Sequence, residues 1–280
     1  MVATPIGNLA DLSLRALHVL QQVDWVACED TRHTAQLLSS VGLHKPLLAL
    51  HQHNENEAAQ TVIGHLQQGL RVAYVSDAGT PGVSDPGARL CTAVAAAGFR
   101  RMPLPGASSV TALISVAGLD NAPSGSAFAF AGFLPSKSQA RQQALDALAQ
   151  SHTPTVVLEA PHRIVALATE MAAHAQLASR TVTVGRELTK QFESVYTLCV
   201  ADWPAYLQAS PQNIKGEFAL VLHGLATQTS TQNLSPLAQQ LLDALLPELP
   251  LKKAVQLTVQ ISGEAKNAVY EAALARKSAD

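Results

Sequence analysis

Apolar and polar positions along this chain follow two rhythms. Apolar runs of four or five residues, the length of a buried strand, alternate with stretches whose apolar residues fall three and four apart, the spacing of a helix face. The clearest run is Val-Ala-Tyr-Val at 72–75, which empties into residues 76–87, a turn holding three Gly, two Pro and two Asp. Pro presets φ and Gly tolerates positive φ, so the loop keeps fixed dihedrals and can bring its amides and carbonyls close to a ligand. Pro86 is placed in the first turn of a helix capped by Asp85, running through Leu90 and Val94 and stopped by Gly98. Strand, loop and helix in that order mark the crevice where open α/β sheets bind ligands, although a tight turn without a ligand fits this stretch as well.

Residues 1–4 read as the tail of a strand clipped at its start, followed by a turn at Pro5, Ile6, Gly7 and Asn8. Ser13 caps a helix with Leu14, Leu17, Leu20 and Val23 on one face; strands at 25–28 and 47–50 flank a helix ended by Gly42. Asn54 with Glu57 has the form of a capping box. After 102–104, Pro105-Gly106-Ala107-Ser108-Ser109 leads into another helix, for which Ser108 or Ser109 is the cap. Alternation to residue 117 predicts an α/β domain with a mainly parallel sheet, and 118–126 is the expected boundary. A second α/β domain over 118–225 takes strands at 128–133, 155–158, 181–185, 194–200 and 217–223, with hairpin-like pairing at its end and helices at 136–150 and 163–177. Lys137 and Arg141, one turn apart, read as a solvated face. Residues 226–235 form a linker, and 236–280 a small helical tail.

Composition narrows the class. With 280 residues, 48% of them apolar, the chain has material for substantial cores, and a net charge of -2 excludes a strongly basic nucleic-acid coat, so any RNA contact is local. Cys28, Cys91 and Cys199 are scattered without metal spacing, as buried thiols of a reducing compartment are. No apolar run approaches the roughly 20 residues of a membrane span. With no secretory pattern at the start either, the expected location is the cytoplasm, without membrane partners. The turn after the first strand is Thr-Pro-Ile-Gly-Asn-Leu, not a dinucleotide fingerprint, and there is no phosphate loop, no zinc motif and no nucleophile elbow. His51 and His53 share a strand face but lack a third metal ligand, so no metal is expected.

Nine stretches in order carry a resemblance: VATPIGNLADLSLRAL (2–17), CEDTR (28–32), HNE (53–55), VSDAGTPGVSDPG (75–87), PLPGASS (103–109), GFLP (132–135), EAPHR (159–163), RELTK (186–190) and KGE (215–217). Together they resemble the tetrapyrrole methylase superfamily and, within it, the bacterial small-subunit rRNA (cytidine-2'-O)-methyltransferases. Residues 249–274 are similar to that subfamily's helix-turn-helix-like tail. Family members carry several more residues before the VATPIGNL stretch, which implies a shortened first strand here.

The resemblance implies two unlike α/β domains with S-adenosyl-L-methionine in the cleft between them, a homodimer, and methylation of a cytidine ribose in the decoding region of 16S rRNA or its subunit. It carries cofactor contacts onto Thr4, Pro5, Ile6, Asp77, Gly79, Thr80, Pro81, Val83, Ala107, Ser108, Ser109, Ala160, Pro161, Lys215 and Gly216. A ribose hydroxyl is a poor nucleophile while protonated, so a base or a nearby cation is needed. Glu159, His162 and Lys190 are the catalytic candidates, and Arg32, His53, Arg163, Arg186 and Lys190 the RNA-contact candidates. Glu29, Asp30, Glu55 and Glu187 also sit at loop ends facing the expected cleft, and Glu29 to Arg32 doubles as a helix start with Arg paired to a carboxylate. The alternatives are a tetrapyrrole C-methylase using the same cleft and a non-catalytic ribosome-binding protein using the tail.

Overall fold

The computed structural model describes residues 1–51, 53–84, 86–119, 127–225 and 234–277. In the first part the apolar runs become parallel strands and the spaced stretches become their covering helices: α1 (Leu14–Gln22), β1 (Trp25–Cys28), α2 (Thr31–Ser40), β2 (Leu47–Ala49), α3 (Glu55–Gln67), β3 (Val72–Val75), α4 (Ala88–Ala96) and α5 (Ser109–Val116). The strands lie in the order β2-β1-β3, all parallel. Val2 extends this layer by single bridges to Val75 on one side and Leu104 on the other. Strand alternation sends Val26, Cys28, Ala73 and Val75 under Ala16 and Leu20 of α1 and Leu38 of α2. Ala27 and Tyr74 face the other way, under α3 and α4. The result is a parallel sheet covered on both sides, with every loop that follows a strand gathered at one edge.

Three local expectations change. Ser13 does cap α1, accepting the Ala16 amide at 3.1 Å, but Leu14 is 86% exposed and the buried stripe is Ala16 and Leu20. Asn54 makes no cap bond; its side chain turns back to the end of β2, accepting from the His51 amide at 2.8 Å and donating to the Ala49 carbonyl at 3.0 Å. α4 starts at Ala88, after Gly87, and not at Pro86; Asp85, its expected cap, lies outside the described residues. Its amides are met from α3 instead, where the buried Glu55 carboxylate accepts from Gly87 and Arg89, each at 3.0 Å.

The second sheet contains β4 (Ala129–Phe133), β5 (Thr155–Glu159), β6 (Thr181–Arg186), β7 (Ser194–Cys199) and β8 (Phe218–Leu222), in the order β4-β5-β8-β6-β7. Among the described residues only β4 and β5 of this sheet pair in parallel; the other pairs are antiparallel. Helices α6 (Ser138–Gln150), α7 (Ile164–Ala173) and α8 (Trp203–Gln208) cover one face. The other face receives α5, whose Val110 and Leu113 pack on Val156, Ala219 and Val221. A helix that leaves the first layer is thus buried on the second, which ties the two together. Arg141 of α6 departs from the solvated face expected of it: it is buried and paired with Glu170 at 2.7 Å.

The chain divides into two compact units, Met1–Gly224 and Leu225–Asp280. The second contains α9 (Pro236–Leu245), α10 (Leu251–Ser262) and α11 (Lys266–Lys277) around Ala238, Leu242, Val255, Val269 and Ala273. Most of the expected linker, 226–233, and of the expected domain boundary, 120–126, lies outside the described residues. Among the described residues no helix is long and apolar enough to cross a membrane.

Candidate active site

Three loops converge at the carboxyl edge of the first sheet. Thr4 and Gly79 exchange backbone hydrogen bonds of 2.9 and 3.0 Å, and the buried Thr4 hydroxyl donates to the Ser76 carbonyl at 3.1 Å. Thr80 donates to the Ala107 carbonyl at 3.0 Å, which joins the second loop to the third. Gly79, at φ +83°, sits between them: a Cβ there would come within 3.3 Å of Ile6 Cγ2 and 3.7 Å of the Ala107 carbonyl. Only a residue without a side chain closes the loops this tightly in a left-handed conformation. Ser108 occupies the position before α5 but makes no side-chain cap bond, so the capping role expected of it is not fulfilled.

Two adjoining hollows open beside these loops. The first, about 310 Å³, has Ile6, Val83 and Ser109 from the first sheet's loops and Phe133, Leu158 and Glu159 from the second sheet among its walls. Ala160 and Pro161 also line it. The second, about 610 Å³, reaches Pro5, His33, Asp77 and Lys190. Ile6, Ala78 and Glu217 belong to both. The first therefore offers apolar walls beside a carboxylate, and the second a mixture of charges.

The charges are held in place. Glu159, with no exposed side-chain surface, accepts the Ala160 amide at 2.9 Å and lies 3.1 Å from Arg163 Nε; its Oε2 is buried without a hydrogen-bond partner. Lys190 donates to Glu187 at 2.9 Å and Glu217 at 3.0 Å. Burial works against the Lys190 charge, but these two carboxylates outweigh it and hold the ammonium above its ordinary pKa. Burial likewise opposes the Glu187 charge, and its bonds to Lys190 and to the Glu217 amide overcome that and lower its pKa. The clamp depends on backbone shape: Glu187 and Thr189 have φ of +52° and +67°, and a Cβ on Gly216 would overlap the Glu187 side chain. Near the first sheet, Asp77 accepts the Asp30 amide at 3.1 Å, and Glu29 is pushed up by burial and then by the Asp77 charge.

The structure gathers much of the expected cofactor set around these loops and hollows, while Lys215 is exposed and passes its carbonyl to Arg186 at 3.3 Å. The catalytic candidates are spread: Glu159 lines the first hollow, Lys190 the second, and His162, exposed, neither. Of the RNA-contact candidates, Arg32 and His53 are exposed. Arg163 donates to the Leu134 carbonyl at 2.6 Å, and Arg186 to Ser194, Phe192 and Lys215. His51 and His53 lie past the end of β2, their rings 6.0 Å apart and edge-on. Among the described residues no trio of His, Cys, Asp or Glu is placed to hold a metal. Sequence reasoning assigned no role to Phe133, Leu158 or Glu217; each sits in or beside a quoted motif, but an aromatic or an acid at a strand end reads as packing or solvation.

The family model for tetrapyrrole (corrin/porphyrin) methylases matches residues 1–202, and that for the RsmI C-terminal HTH domain matches residues 232–277. Over 278 residues, 99% of this chain and 93% of the relative, 44% of positions are identical to the ribosomal RNA small subunit methyltransferase I of Neisseria meningitidis serogroup B. Among solved structures, diphthine synthase superposes with a TM-score of 0.61 at 17% identity, covering 79% of this chain and 88% of that one. A uroporphyrin-III C-methyl transferase from Thermus thermophilus complexed with S-adenyl homocysteine gives 0.52 at 16% identity, covering 81% and 97%. At these identities the two structural likenesses show the fold alone.

Proposed function

The chain belongs to the tetrapyrrole (corrin/porphyrin) methylase family, and from that premise we propose that it transfers a methyl group from S-adenosylmethionine to the ribose 2'-oxygen of a cytidine in the decoding region of small-subunit rRNA. The observation that carries the proposal is the full-length likeness: a methylase match followed by the RsmI tail, and 44% identity to a relative named for small-subunit rRNA methylation. We further propose that it works as a cytoplasmic homodimer.

The residues present fit the cofactor. Ile6, Val83 and Leu158 offer apolar walls to an adenine, and the buried, unpartnered Oε2 of Glu159 is the kind of acceptor a ribose hydroxyl or a cation takes up. Thr4, Pro5, Ile6, Asp77, Gly79, Thr80, Pro81 and Val83 would hold it from the first two loops. Ala107, Ser108 and Ser109 would do so from the third, and Ala160, Pro161, Lys215 and Gly216 from the second sheet. When bound, S-adenosylmethionine supplies an electrophilic methyl on a sulfonium.

The chain's own contribution is to place the acceptor oxygen and manage its proton. Positioning alone is worth up to about 7–11 kcal/mol in well-oriented reactions. Lys190, kept protonated by Glu187 and Glu217, is not the base; the one N–H those carboxylates leave can hydrogen-bond the ribose oxygen, and the proton that oxygen loses on methylation passes to water. Arg32 and His53 contact RNA from the exposed rim, while Arg163 and Arg186 reach it only by giving up bonds to the fold. The deciding experiment offers labelled S-adenosylmethionine with purified small subunits, naked rRNA and a precorrin-type substrate, then maps the label. Label on one cytidine ribose supports the proposal; label on the tetrapyrrole alone overturns it.

A further inference from the structure

Methylation of a ribose oxygen brings the base of the same nucleotide to the rim of the site, within one nucleotide's reach of the reacting atoms. Two aromatic rings line the first hollow, Phe218, which is buried, and Phe133, which is not. Phe133 ends β4, an edge strand of the second sheet, and lines the hollow with Val83 and Ser84, yet it is 53% exposed. Its direction is built into the backbone. The pairing of β4 with β5 slips between Phe130 and Gly132, and Gly132 has a φ of +65°. A slip of this kind breaks strand alternation and re-aims the next side chain. A Cβ on Gly132 would lie 3.1 Å from Ser84 Oγ, so the strand end lies close against the loop of 76–87 and a side chain there would press on Ser84. Ser84 itself has a φ of +65°, uncommon for a residue other than glycine. The glycine turn on one side and the left-handed Ser84 on the other thus leave exposed a phenylalanine that joins neither face's core.

We propose that Phe133 is the stacking platform for the base of the nucleotide whose ribose is methylated. The assignment rests on the RNA reading above and adds a substrate requirement to it. A base lying on Phe133 has left its helical stack, so the target must be unpaired or readily unstacked. Every base has a π-face, so the ring fixes position and leaves base identity to polar groups.

The test measures binding of a fluorescent single-stranded RNA carrying the mapped target cytidine, by anisotropy with saturating S-adenosylhomocysteine. Phe133→Ala is expected to weaken binding about 5- to 150-fold, the value of one base stack, with cofactor affinity by calorimetry unchanged to about twofold. Phe133→Trp restores it. With the unaltered protein, an RNA whose target base is replaced by an abasic site loses the same factor, and Phe133→Ala adds no further loss on that RNA. Equal RNA binding by wild type and Phe133→Ala overturns the platform and leaves the RNA reading standing. A parallel loss of cofactor affinity in Phe133→Ala assigns the ring to the adenine, and conversion of a wild-type dimer to monomers assigns it to a second copy; either overturns the inference. Failure of the wild-type protein to bind any RNA removes the functional reading and the platform with it.

Discussion

Two clusters with an acid and an arginine stand at the ends of apolar strands in this chain, Glu29 to Arg32 after β1 and Glu159 to Arg163 from the last residue of β5, and the fold treats them in opposite ways. In each the nearest charged atoms are 3.1 Å apart. The Arg32 and Asp30 side chains are 88% and 37% exposed, those of Arg163 and Glu159 22% and 0%. Asp30 stands at the open start of α2, accepting the Arg32 and His33 amides as a cap. Glu159 ends a strand flanked by β4 and β8, so its carboxylate enters the walls of the first hollow. An ion pair in water is a local fastener, whereas one without water is part of the site's electrostatics.

The strongest way to break this comparison is Glu159→Ala. It leaves the Ala160 amide without its acceptor and the Arg163 guanidinium without the carboxylate 3.1 Å away, and removing one partner of a buried pair costs about 3–5 kcal/mol. Urea unfolding of the variant is expected to show that loss, with methyl transfer falling as the cleft wall loosens. A loss under about 1 kcal/mol would place Glu159 with the exposed pairs. Next in size is the coupling between the partners. Glu159→Gln, Arg163→Met and their combination form a cycle whose interaction energy is expected at about 0.5–3 kcal/mol, because each change strands a group the other had satisfied. Strictly additive losses would mean that Arg163 is held by the Leu134 carbonyl alone.

That the two clusters read alike in the sequence shows where pattern stops being informative. The strands 25–28 and 72–75 were legible residue for residue, because length and apolar continuity suffice for a buried parallel strand. The Gly and Pro loops were legible as close-packing turns for the same local reason. Relations across elements were not. Glu55 serves α4 from α3, Arg141 is buried against Glu170 of α7, and Lys190 is fixed by Glu187 and Glu217, one of them 27 residues further along the chain. α8 had only Trp203 and Leu207 as buried anchors, too few to show a period. Phe133 looked like the end of a strand, and the sign of the slip in register in Ala-Phe-Ala-Gly-Phe, the lone Gly132, was not used.

The exposed cluster makes a smaller prediction that concerns RNA more than folding. Arg32→Ala is expected to lower the unfolding midpoint only slightly, since an exposed pair is worth little and Asp30 keeps the amide bonds of the cap. If Arg32 touches a phosphate, RNA affinity falls for every sequence and the slope of log affinity against log salt becomes shallower by about 1. An unchanged slope would remove Arg32 from the RNA surface and leave it a fastener only.

The finest test lies inside the exposed cluster, where neighbouring acids are pushed in opposite directions. The Arg32 side chain, then its amide, holds the Asp30 carboxyl down at about 2, against an ordinary 3.8. Its contribution to stability is therefore complete above the ordinary value and is lost as pH falls toward about 2. Burial, then the Asp77 charge, raises Glu29 above its ordinary 4.5, with His51 opposing. The sign reverses: Glu29 costs stability once pH rises through that raised value, and the cost disappears below the ordinary one. Thermal unfolding at low salt is expected to show Asp30→Asn less stable than wild type at about pH 7, the gap closing in acid. Glu29→Gln is expected to be slightly more stable at about pH 7, and that gap also closes on acidification. Changes of the same sign would mean that burial and the Asp77 charge together do not raise Glu29.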